Sequence, residues 1–262
     1  MLPAADNKAR VHLVGAGPGD PELLTVRAAR LLDAADVVFY DHLVPEAILR
    51  LAADAELVPV GHRRGGPKPD VSHVAELMAA RALAGELVVR LKGGDPYLFG
   101  RGAEEAAALL ERGIAYEMVP GVSSALAAPA AAGIPLTHRE LASSVTIVTG
   151  HEREEGEGRV RWDQLAGGAD TLVVLMGATK LRQLSRSIIL AGRPATTPAA
   201  VVMAATRPEQ RQVVATLAGI ADAAEHAGIG SPAVLVVGEV ATLSRVLAAP
   251  ALSELAVSAA GG

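Results

Sequence analysis

The first half of the chain alternates short runs of mostly β-branched apolar residues with longer segments of helical periodicity. The first such unit predicts a strand at 11–14, a helix at 26–34 and a strand at 37–40. Thr25 stands directly before the helix, where its hydroxyl group can accept a hydrogen bond from the first turn. Because strands that alternate with helices run in the same direction, this half is predicted to form a parallel sheet.

The alternation continues and changes character in the second half. The first half also predicts helices near 71–84 and from about 103 to 113, and strands at 87–91 and 115–119. The second half predicts strands at 145–148, 171–175, 200–203, 211–216 and 233–237, with a polar surface loop at 151–161. The strand at 211–216 follows a turn at Pro208 and is predicted to pair as a hairpin, so the second sheet is predicted to be mixed.

The fold class predicted for the chain is therefore α/β with two domains. We place the first domain at 10–136 and the second at 142–247, with a small-residue-rich tail at 248–262 that is predicted to fray. The uncharged stretch 118–137 is long enough to span a bilayer, but prolines and glycines interrupt it. It is predicted to be a buried loop and helix, and no membrane association is expected.

Composition excludes several classes of protein. Hydrophobic residues make up 50% and charged residues 20% of the 262 residues, which is typical of a globular chain. The absence of cysteine excludes a disulfide framework, a Cys-ligated zinc site and a Cys nucleophile. The formal net charge of -5 disfavours general nucleic-acid binding. The N-terminal residues carry charges and no apolar segment, so no signal peptide is expected and the cytoplasm is the expected compartment.

A glycine-rich turn, Gly-Ala-Gly-Pro-Gly-Asp-Pro at 15–21, directly follows the first predicted strand. A dinucleotide-binding turn would have its third glycine at position 20, but Asp20 stands there, and its carboxylate would repel a pyrophosphate. Pro18 and Pro21 also remove two amide donors. The turn favours a ligand without a pyrophosphate, and the alternative is a tight strand-to-helix turn.

The richest segment, 90–105, lies between a predicted strand and a predicted helix. Its glycines allow close backbone approach, Asp95 can bind a cation or an amino group, and Tyr97, Leu98 and Phe99 can cover a flat ring. Four of the six aromatic residues of the chain lie in this segment or at the end of the second strand. Core packing alone does not explain that distribution.

Other candidates follow predicted strands. Asp41 is a candidate general base or substrate contact, or else a helix N-cap. The basic run at 61–66 can pair with ligand carboxylates, or else it is a solvated turn. Ser123 can cap a helix or contact a ligand, and His138 is a proton carrier or an anchor. Met176 can pack on an adenine or belong to the core, and no grouping of residues has metal-ligand spacing.

These motifs occur in the same order in the tetrapyrrole methylase family, which the chain resembles over about residues 10–245. The motifs that carry the resemblance lie at 14–20, 40–41, 90–105, 119–121, 133–139, 149–151 and 175–177. The segment 92–105 and the Thr-His-Arg turn at 137–139 resemble most specifically the branch that methylates uroporphyrinogen III.

The resemblance implies a mostly parallel N-terminal sheet, a mixed C-terminal sheet, an active site in the cleft between the domains, and usually a homodimer. It implies S-adenosylmethionine as methyl donor and no metal. The implied reaction is the transfer of two methyl groups to ring carbons of uroporphyrinogen III, which gives precorrin-2 and S-adenosylhomocysteine in sirohaem or cobalamin biosynthesis.

The resemblance also assigns residues by position. The implied cofactor contacts are Pro18, Gly93, Gly94, Asp95, Leu98, Ser123, Ser124, Met176 and Ala205. Asp41 stands at the position of the proposed proton acceptor, and His62 stands at that of the proposed proton donor, where the family usually has Lys. The implied contacts to substrate carboxylates are Arg63, Arg64 and Arg139.

Three alternatives stay open on the sequence. Another enzyme of the same family would methylate a later precorrin or a different acceptor. A nicotinamide-dependent oxidoreductase is disfavoured by Asp20. A binding module without catalysis is favoured only by His62 in place of Lys.

Overall fold

The structure is a computed structural model and describes residues 11–61, 70–150 and 160–248. The chain divides into two compact units, Met1–Ser123 and Ser124–Gly262. The first unit contains β1 (Val11–Gly15), α1 (Val26–Ala34), β2 (Val37–Tyr40), α2 (Glu46–Leu49), β3 (Glu56–Pro59), α3 (Val71–Leu83), β4 (Val88–Lys92), α4 (Gly102–Glu111) and β5 (Tyr116–Val119), with a 3₁₀ turn at Pro21–Leu23.

The second unit is built of shorter helices around longer strands. It contains α5 (Ser124–Ala131), β6 (Val145–Thr149), α6 (Trp162–Leu165), β7 (Thr171–Leu175), α7 (Leu181–Leu190), β8 (Pro198–Met203), β9 (Arg211–Thr216), α8 (Ile220–His226), β10 (Ala233–Val237) and α9 (Ser244–Leu247), with 3₁₀ turns at Ala178–Lys180 and Glu239–Leu243.

The sheet of the first unit has the strand order β3-β2-β4-β1-β5, and every pairing is parallel. Leu13 and Phe39 belong to a core cluster that includes residues of α3 and α4. Val14 and Val38, which alternate with them along the strands, belong to a cluster with residues of α1 and α2. The observed pairing confirms the parallel sheet predicted from the alternation of strands and helices. Burial on both faces explains why the strands are nearly continuous runs of apolar residues.

The helices of this unit begin where the sequence supplies side-chain caps. The Thr25 hydroxyl group accepts a hydrogen bond from the amide of Ala28 at 3.1 Å, which confirms the predicted N-cap of α1. Asp70 caps α3 in the same way by accepting from Ser72 at 2.9 Å. Because the strands are parallel, their carboxyl ends and the loops that follow them lie at one edge of the sheet.

The sheet of the second unit has the order β6-β7-β10-β8-β9 and is mixed. β8 and β9 pair as an antiparallel hairpin, whereas β6 pairs in parallel with β7. The predicted hairpin and the predicted mixed sheet are therefore both confirmed. β7 and β8 are each antiparallel to β10 and therefore run in the same direction. The ends of β6, β7 and β8 consequently lie at one edge of this sheet.

The division between the units, after Ser123, falls ahead of the predicted end of the first domain at residue 136. α5 packs on β7, β8 and β10, which places it in the second unit. The domain bounds 10–136 and 142–247 stay a prediction. The uncharged stretch 118–137 contains α5, as predicted, and none of the helices within the described residues is long and apolar enough to cross a membrane. Most of the predicted loop at 151–161 and all of the tail after residue 248 lie outside the described residues.

Candidate functional site

Three glycine-containing loops at the carboxyl edge of the first sheet are in direct backbone contact. Gly17 and Gly94 exchange two backbone hydrogen bonds, of 3.2 and 2.8 Å. A Cβ atom on Gly15 would lie 2.5 Å from the nitrogen of Gly121. A Cβ atom does not fit at Gly15, and Gly17 and Gly94 have φ angles of 70° and 67°, which favour glycine, so glycine is required for the loops after β1, β4 and β5 to approach one another.

Asp95 fastens the loop after β4. Its Oδ1 atom accepts a hydrogen bond from the amide of Tyr97 at 2.8 Å, and its Oδ2 atom accepts one from the amide of Gly121 at 3.1 Å. The half-buried carboxylate therefore joins its own loop to the end of β5. A ligand contact of Asp95 remains a prediction, and it would use the remaining lone pairs of the same oxygens.

The same loop carries backbone strain and exposed aromatic rings. Phe99 and Arg101 have φ angles of 55° and 57°, a left-handed conformation that side chains rarely adopt. Tyr97 and Phe99 are exposed, and Leu98 is half-buried. Strain of this kind persists where the surrounding structure imposes it and is frequent at functional sites.

The turn after β1 does not open an α-helix at the place where a dinucleotide fold would hold its pyrophosphate. Asp20 Oδ1 accepts a hydrogen bond from the amide of Glu22 at 2.9 Å and caps the short 3₁₀ turn, while α1 begins only at Val26. Pro18 is half-buried before it. This geometry agrees with the exclusion of a pyrophosphate ligand argued from Asp20.

Asp41, directly after β2, forms ion pairs and does not cap a helix. Its Oδ1 atom lies 2.5 Å from Nη2 of Arg90, and its Oδ2 atom lies 3.7 Å from Nζ of Lys92. The N-cap of α2 is Pro45, without a side-chain hydrogen bond. The N-cap alternative for Asp41 is therefore wrong, and the carboxylate is held at the sheet edge by two cations.

A buried carboxylate completes this group of charges. Glu105 Oε1 accepts from Nε and Nη2 of Arg90 at 3.0 and 2.9 Å and from Nζ of Lys92 at 3.1 Å. The side chains of Arg90, Lys92 and Glu105 are 4%, 4% and 5% exposed, whereas that of Asp41 is 28% exposed. We call these four residues the charge quartet; its formal charges cancel, and Asp41 is its only member that reaches solvent.

The two carboxylates of the quartet oppose the effect of burial on the pKa values of its two cations. Burial acts to lower the pKa of Arg90, but the charges of Asp41 and Glu105 outweigh it, so this pKa lies above its usual value. Burial lowers the pKa of Lys92, and the charge of Arg90 lowers it further, against the opposite effects of Asp41 and Glu105. The charged forms of Arg90 and Lys92 are therefore stabilised by the carboxylates of Asp41 and Glu105.

The three buried members of the quartet are not among the residues predicted from the sequence, although the pattern of β4 contains a signal for them. Arg90 and Lys92 alternate inside an otherwise apolar strand, so they lie on one face of β4. Buried cations require a partner of opposite charge, and Glu105 lies on the first helix that follows.

The second unit places its candidate residues at the edge where β6, β7 and β8 end. Met176 follows β7 with a φ angle of 57° and is 53% exposed, so it is not a core residue. Ala204 and Thr206, with φ angles of 46° and 67°, flank the buried Ala205 after β8. Like the loop after β4, these turns therefore contain residues other than glycine in the left-handed conformation.

The remaining candidates are placed as follows. Ser123 is buried after β5, Ser124 begins α5, and Arg139 is exposed in the segment between α5 and β6. His62, Arg63 and Arg64 lie outside the described residues. The loop that leads to them begins beside Asp41, because a Cβ atom on Gly61 would lie 2.8 Å from the Cα atom of Asp41.

A family model described as Tetrapyrrole (Corrin/Porphyrin) Methylases matches residues 10–221. The chain belongs to this family. The family resemblance stated from the motifs is thereby confirmed. The fold is shared with solved members of the family.

Two solved structures of tetrapyrrole methylases resemble this one closely. A uroporphyrin-III C-methyl transferase from Thermus thermophilus, complexed with S-adenyl homocysteine, has 43% sequence identity and a TM-score of 0.76, with 90% of this chain and 100% of that chain covered. A cobalt precorrin-4 methyltransferase of cobalamin biosynthesis has 31% identity and a TM-score of 0.77, with 88% and 95% covered.

Curated relatives of the family are similarly close. An S-adenosyl-L-methionine-dependent uroporphyrinogen III methyltransferase of Methanosarcina barkeri is 46% identical over 243 residues, which cover 92% of this chain and 95% of that protein. A siroheme synthase of Gluconacetobacter diazotrophicus is 47% identical over 257 residues, which cover 97% of this chain. This chain spans only about half of that siroheme synthase, 54% of its length.

Proposed function

We propose that this chain is an S-adenosylmethionine-dependent methyltransferase that methylates two ring carbons of uroporphyrinogen III to give precorrin-2 and S-adenosylhomocysteine, in sirohaem or cobalamin biosynthesis. The observation that carries the proposal is the 46% identity to the Methanosarcina barkeri uroporphyrinogen III methyltransferase, across 92% of this chain and 95% of that enzyme. The site residues are proposals that rest on the resemblance and on the geometry described above.

The described residues fit S-adenosylmethionine, which has no phosphate and carries an adenine ring, an amino group and a sulfonium cation. The glycine loops of the first unit leave no side chain between them, and a Cβ atom on the exposed Gly93 would meet nothing nearer than Leu43 at 3.8 Å. The residues proposed to hold it are Pro18, Gly93, Gly94, Asp95, Leu98, Ser123, Ser124, Met176 and Ala205. When bound, it supplies an electrophilic methyl group.

Asp41 is proposed to take up the proton that the methylated ring system loses. The C–H bond breaks, its electron pair stays in the ring system and cancels the positive charge there, and the proton passes to the carboxylate. Oδ1 of Asp41 is held by Arg90 at 2.5 Å, whereas among the described residues Oδ2 has only the longer ion pair with Lys92 at 3.7 Å. Oδ2 is therefore the oxygen available to the proton.

Arg63, Arg64 and Arg139 are proposed to bind the carboxylates of the substrate, because guanidinium groups pair with carboxylates through two hydrogen bonds.

His62 is proposed as the proton donor. Replacing His62 by alanine is expected to slow turnover, and His62→Lys is expected to retain it to higher pH, because a lysine ammonium stays protonated to higher pH than an imidazolium. Equal pH profiles of wild type and His62→Lys would refute this role.

The proposed function is tested by an anaerobic assay with uroporphyrinogen III and S-adenosylmethionine that follows the mass of the product. We expect a gain of two methyl groups, and we expect Asp41→Asn to lower kcat by about 10²–10⁴-fold, the usual effect of losing a general base. Asp54→Asn, an exposed aspartate between α2 and β3, is the matched control. Binding of the methyl donor without methylation would contradict the proposal and indicate a different acceptor, as in the precorrin-4 branch.

We also propose that the chain works as a homodimer in the cytoplasm. The support is the resemblance to the family, together with a sequence that contains no cysteine. Analytical ultracentrifugation gives the mass in solution. A species of 26.7 kDa, the mass of one chain, at all concentrations would contradict the dimer.

A further inference from the structure

We propose that Arg90, Lys92 and Glu105 are positioning residues that hold the Asp41 carboxylate with its Oδ2 atom open, and that Glu105 controls this arrangement. The inference rests on the proposed function, in which Asp41 takes up a proton. It concerns only the charge quartet, whose members all belong to the first unit.

The Arg90 side chain is fixed by all of its donors. A guanidinium group has five N–H donors in one plane. In Arg90 they point to Glu105 Oε1 twice, to Asp41 Oδ1, and to the carbonyl oxygens of Phe39 and Leu91 at 3.4 and 3.1 Å. Because the two carbonyl groups belong to strands β2 and β4, the sheet itself sets the direction from which Arg90 reaches Asp41.

Glu105 balances the charge of the two cations. Without its carboxylate, the buried Arg90 and Lys92 would share Asp41 as their partner, and uncompensated buried charge is strongly unfavourable. Glu105 concentrates its contacts in one oxygen: Oε1 accepts three hydrogen bonds, while the buried Oε2 accepts none from the described residues. It thereby draws Lys92 toward itself and away from Asp41.

The position of Lys92 decides which oxygen of Asp41 is open. Its Nζ atom lies 3.1 Å from Glu105 Oε1 but 3.7 Å from Asp41 Oδ2, a distance too long for a hydrogen bond. Within the described part of the chain, Oδ2 accepts no hydrogen bond. If Glu105 lost its charge, Lys92 would move onto Oδ2 and occupy the atom that the proton needs.

The decisive variant is Glu105→Gln, with Glu111→Gln on the exposed end of the same helix as matched control. We expect kcat for methylation of uroporphyrinogen III to fall about 10–100-fold, the usual effect of losing an outer partner of a site, with KM and the Kd of S-adenosylhomocysteine within about twofold. In an Asp41→Asn background the same change is expected to have no effect on kcat, because Glu105 acts through Asp41. Equal losses in both backgrounds, or a loss of cofactor binding instead of kcat, would overturn the inference.

Two further measurements keep the test decisive. If Glu105→Gln does not fold, Lys92→Met combined with Glu105→Gln removes one charge of each sign. Its kcat is expected to stay near that of wild type, because no ammonium group is left to occupy Asp41 Oδ2. A loss of kcat as large as that of Asp41→Asn in this double variant would overturn the inference. Crystal structures of Glu105→Gln and Glu111→Gln are expected to show Lys92 within hydrogen-bond distance of Asp41 Oδ2 only in the former. An unmoved Lys92 would overturn the inference, whereas a wild-type enzyme that makes no methylated product while Lys92 moves would overturn the proposed function alone.

Discussion

A Cβ atom on Gly121 would lie only 2.2 Å from the carbonyl oxygen of Gly94. The same atom would lie 2.8 Å from the Cα atom of Gly15, so two backbone segments confine it at once. Side chains in the path can move aside, but these contacts are with backbone of the buried sheet edge. The end of β5 can therefore pack against the loops after β1 and β4 only because residue 121 has no Cβ atom.

Gly121→Ala is therefore expected to destabilise the protein by about 1–3 kcal/mol, the usual range for an overpacked site. The Kd for S-adenosylhomocysteine is expected to rise, because the loops proposed to hold the cofactor are displaced. Thermal unfolding and titration calorimetry measure the two effects. Gly167→Ala is the control, since a Cβ atom there meets nothing within 4 Å. Unchanged cofactor affinity in Gly121→Ala would show that these loops do not form the cofactor site.

The fold follows closely from the sequence because most of its strands are buried. The parallel strands are runs of apolar residues bounded by turn residues, and the predicted strands at 37–40, 171–175, 211–216 and 233–237 have the bounds found in the structure. β3 has no predicted bounds. It is an edge strand of four residues that ends in a proline and is mostly exposed, so it lacks the apolar run that marks the others.

The candidate site is predicted only as far as local pattern extends. Glycine-rich turns after predicted strands indicated the loops around Gly15 and Gly94, because each of these loops is recognisable from a short run of consecutive residues. The pairing of Arg90 with Asp41 and Glu105 is not local, since it depends on which strands become neighbours. Strand order, and with it the charge quartet, follows from tertiary packing that no short motif encodes.

Met176 combines a strained backbone conformation with a proposed contact to the cofactor, and substitutions can separate the two. Its φ angle of 57° suits glycine, and its side chain is 53% exposed. Met176→Gly is expected to be more stable than Met176→Ala by about 1 kcal/mol, because only glycine adopts the left-handed conformation without cost. Both variants are expected to bind S-adenosylhomocysteine more weakly than wild type. Thermal unfolding without ligand and calorimetric titration separate the two effects, and wild-type affinity in both variants would exclude Met176 from the site.

His12 is expected to make stability depend on pH. It is buried on β1 with its Nδ1 atom 3.1 Å from Glu117, and burial lowers its pKa although Glu117 acts in the opposite direction. The unfolded chain therefore binds the proton more readily, so this contribution to the free energy of unfolding is complete above about pH 6.5 and is lost as the pH falls toward the folded-state pKa. Urea unfolding from pH 7 to 5 is expected to show a smaller decline in His12→Gln than in wild type. The exposed His226→Gln should decline as wild type does, and an identical decline in His12→Gln would contradict the prediction.

Arg139 distinguishes substrate recognition from catalysis. It is exposed between α5 and β6, and the proposed substrate is a polycarboxylate, so the guanidinium group is expected to contribute to binding and not to the chemical step. Arg139→Gln is expected to raise KM for uroporphyrinogen III about tenfold with kcat nearly unchanged, since a partly screened charge-assisted hydrogen bond contributes about 1.4 kcal/mol.

Salt gives this prediction a second and independent measurement. Added salt screens an exposed ion pair, so it is expected to raise KM of the wild-type enzyme more steeply than KM of Arg139→Gln, and the two values should converge at high ionic strength. Arg186→Gln, an exposed arginine on α7, is the control for the loss of one positive charge and is expected to follow wild type. If Arg186→Gln raises KM as much as Arg139→Gln does, the effect comes from the overall charge of the protein, and Arg139 has no specific contact with the substrate.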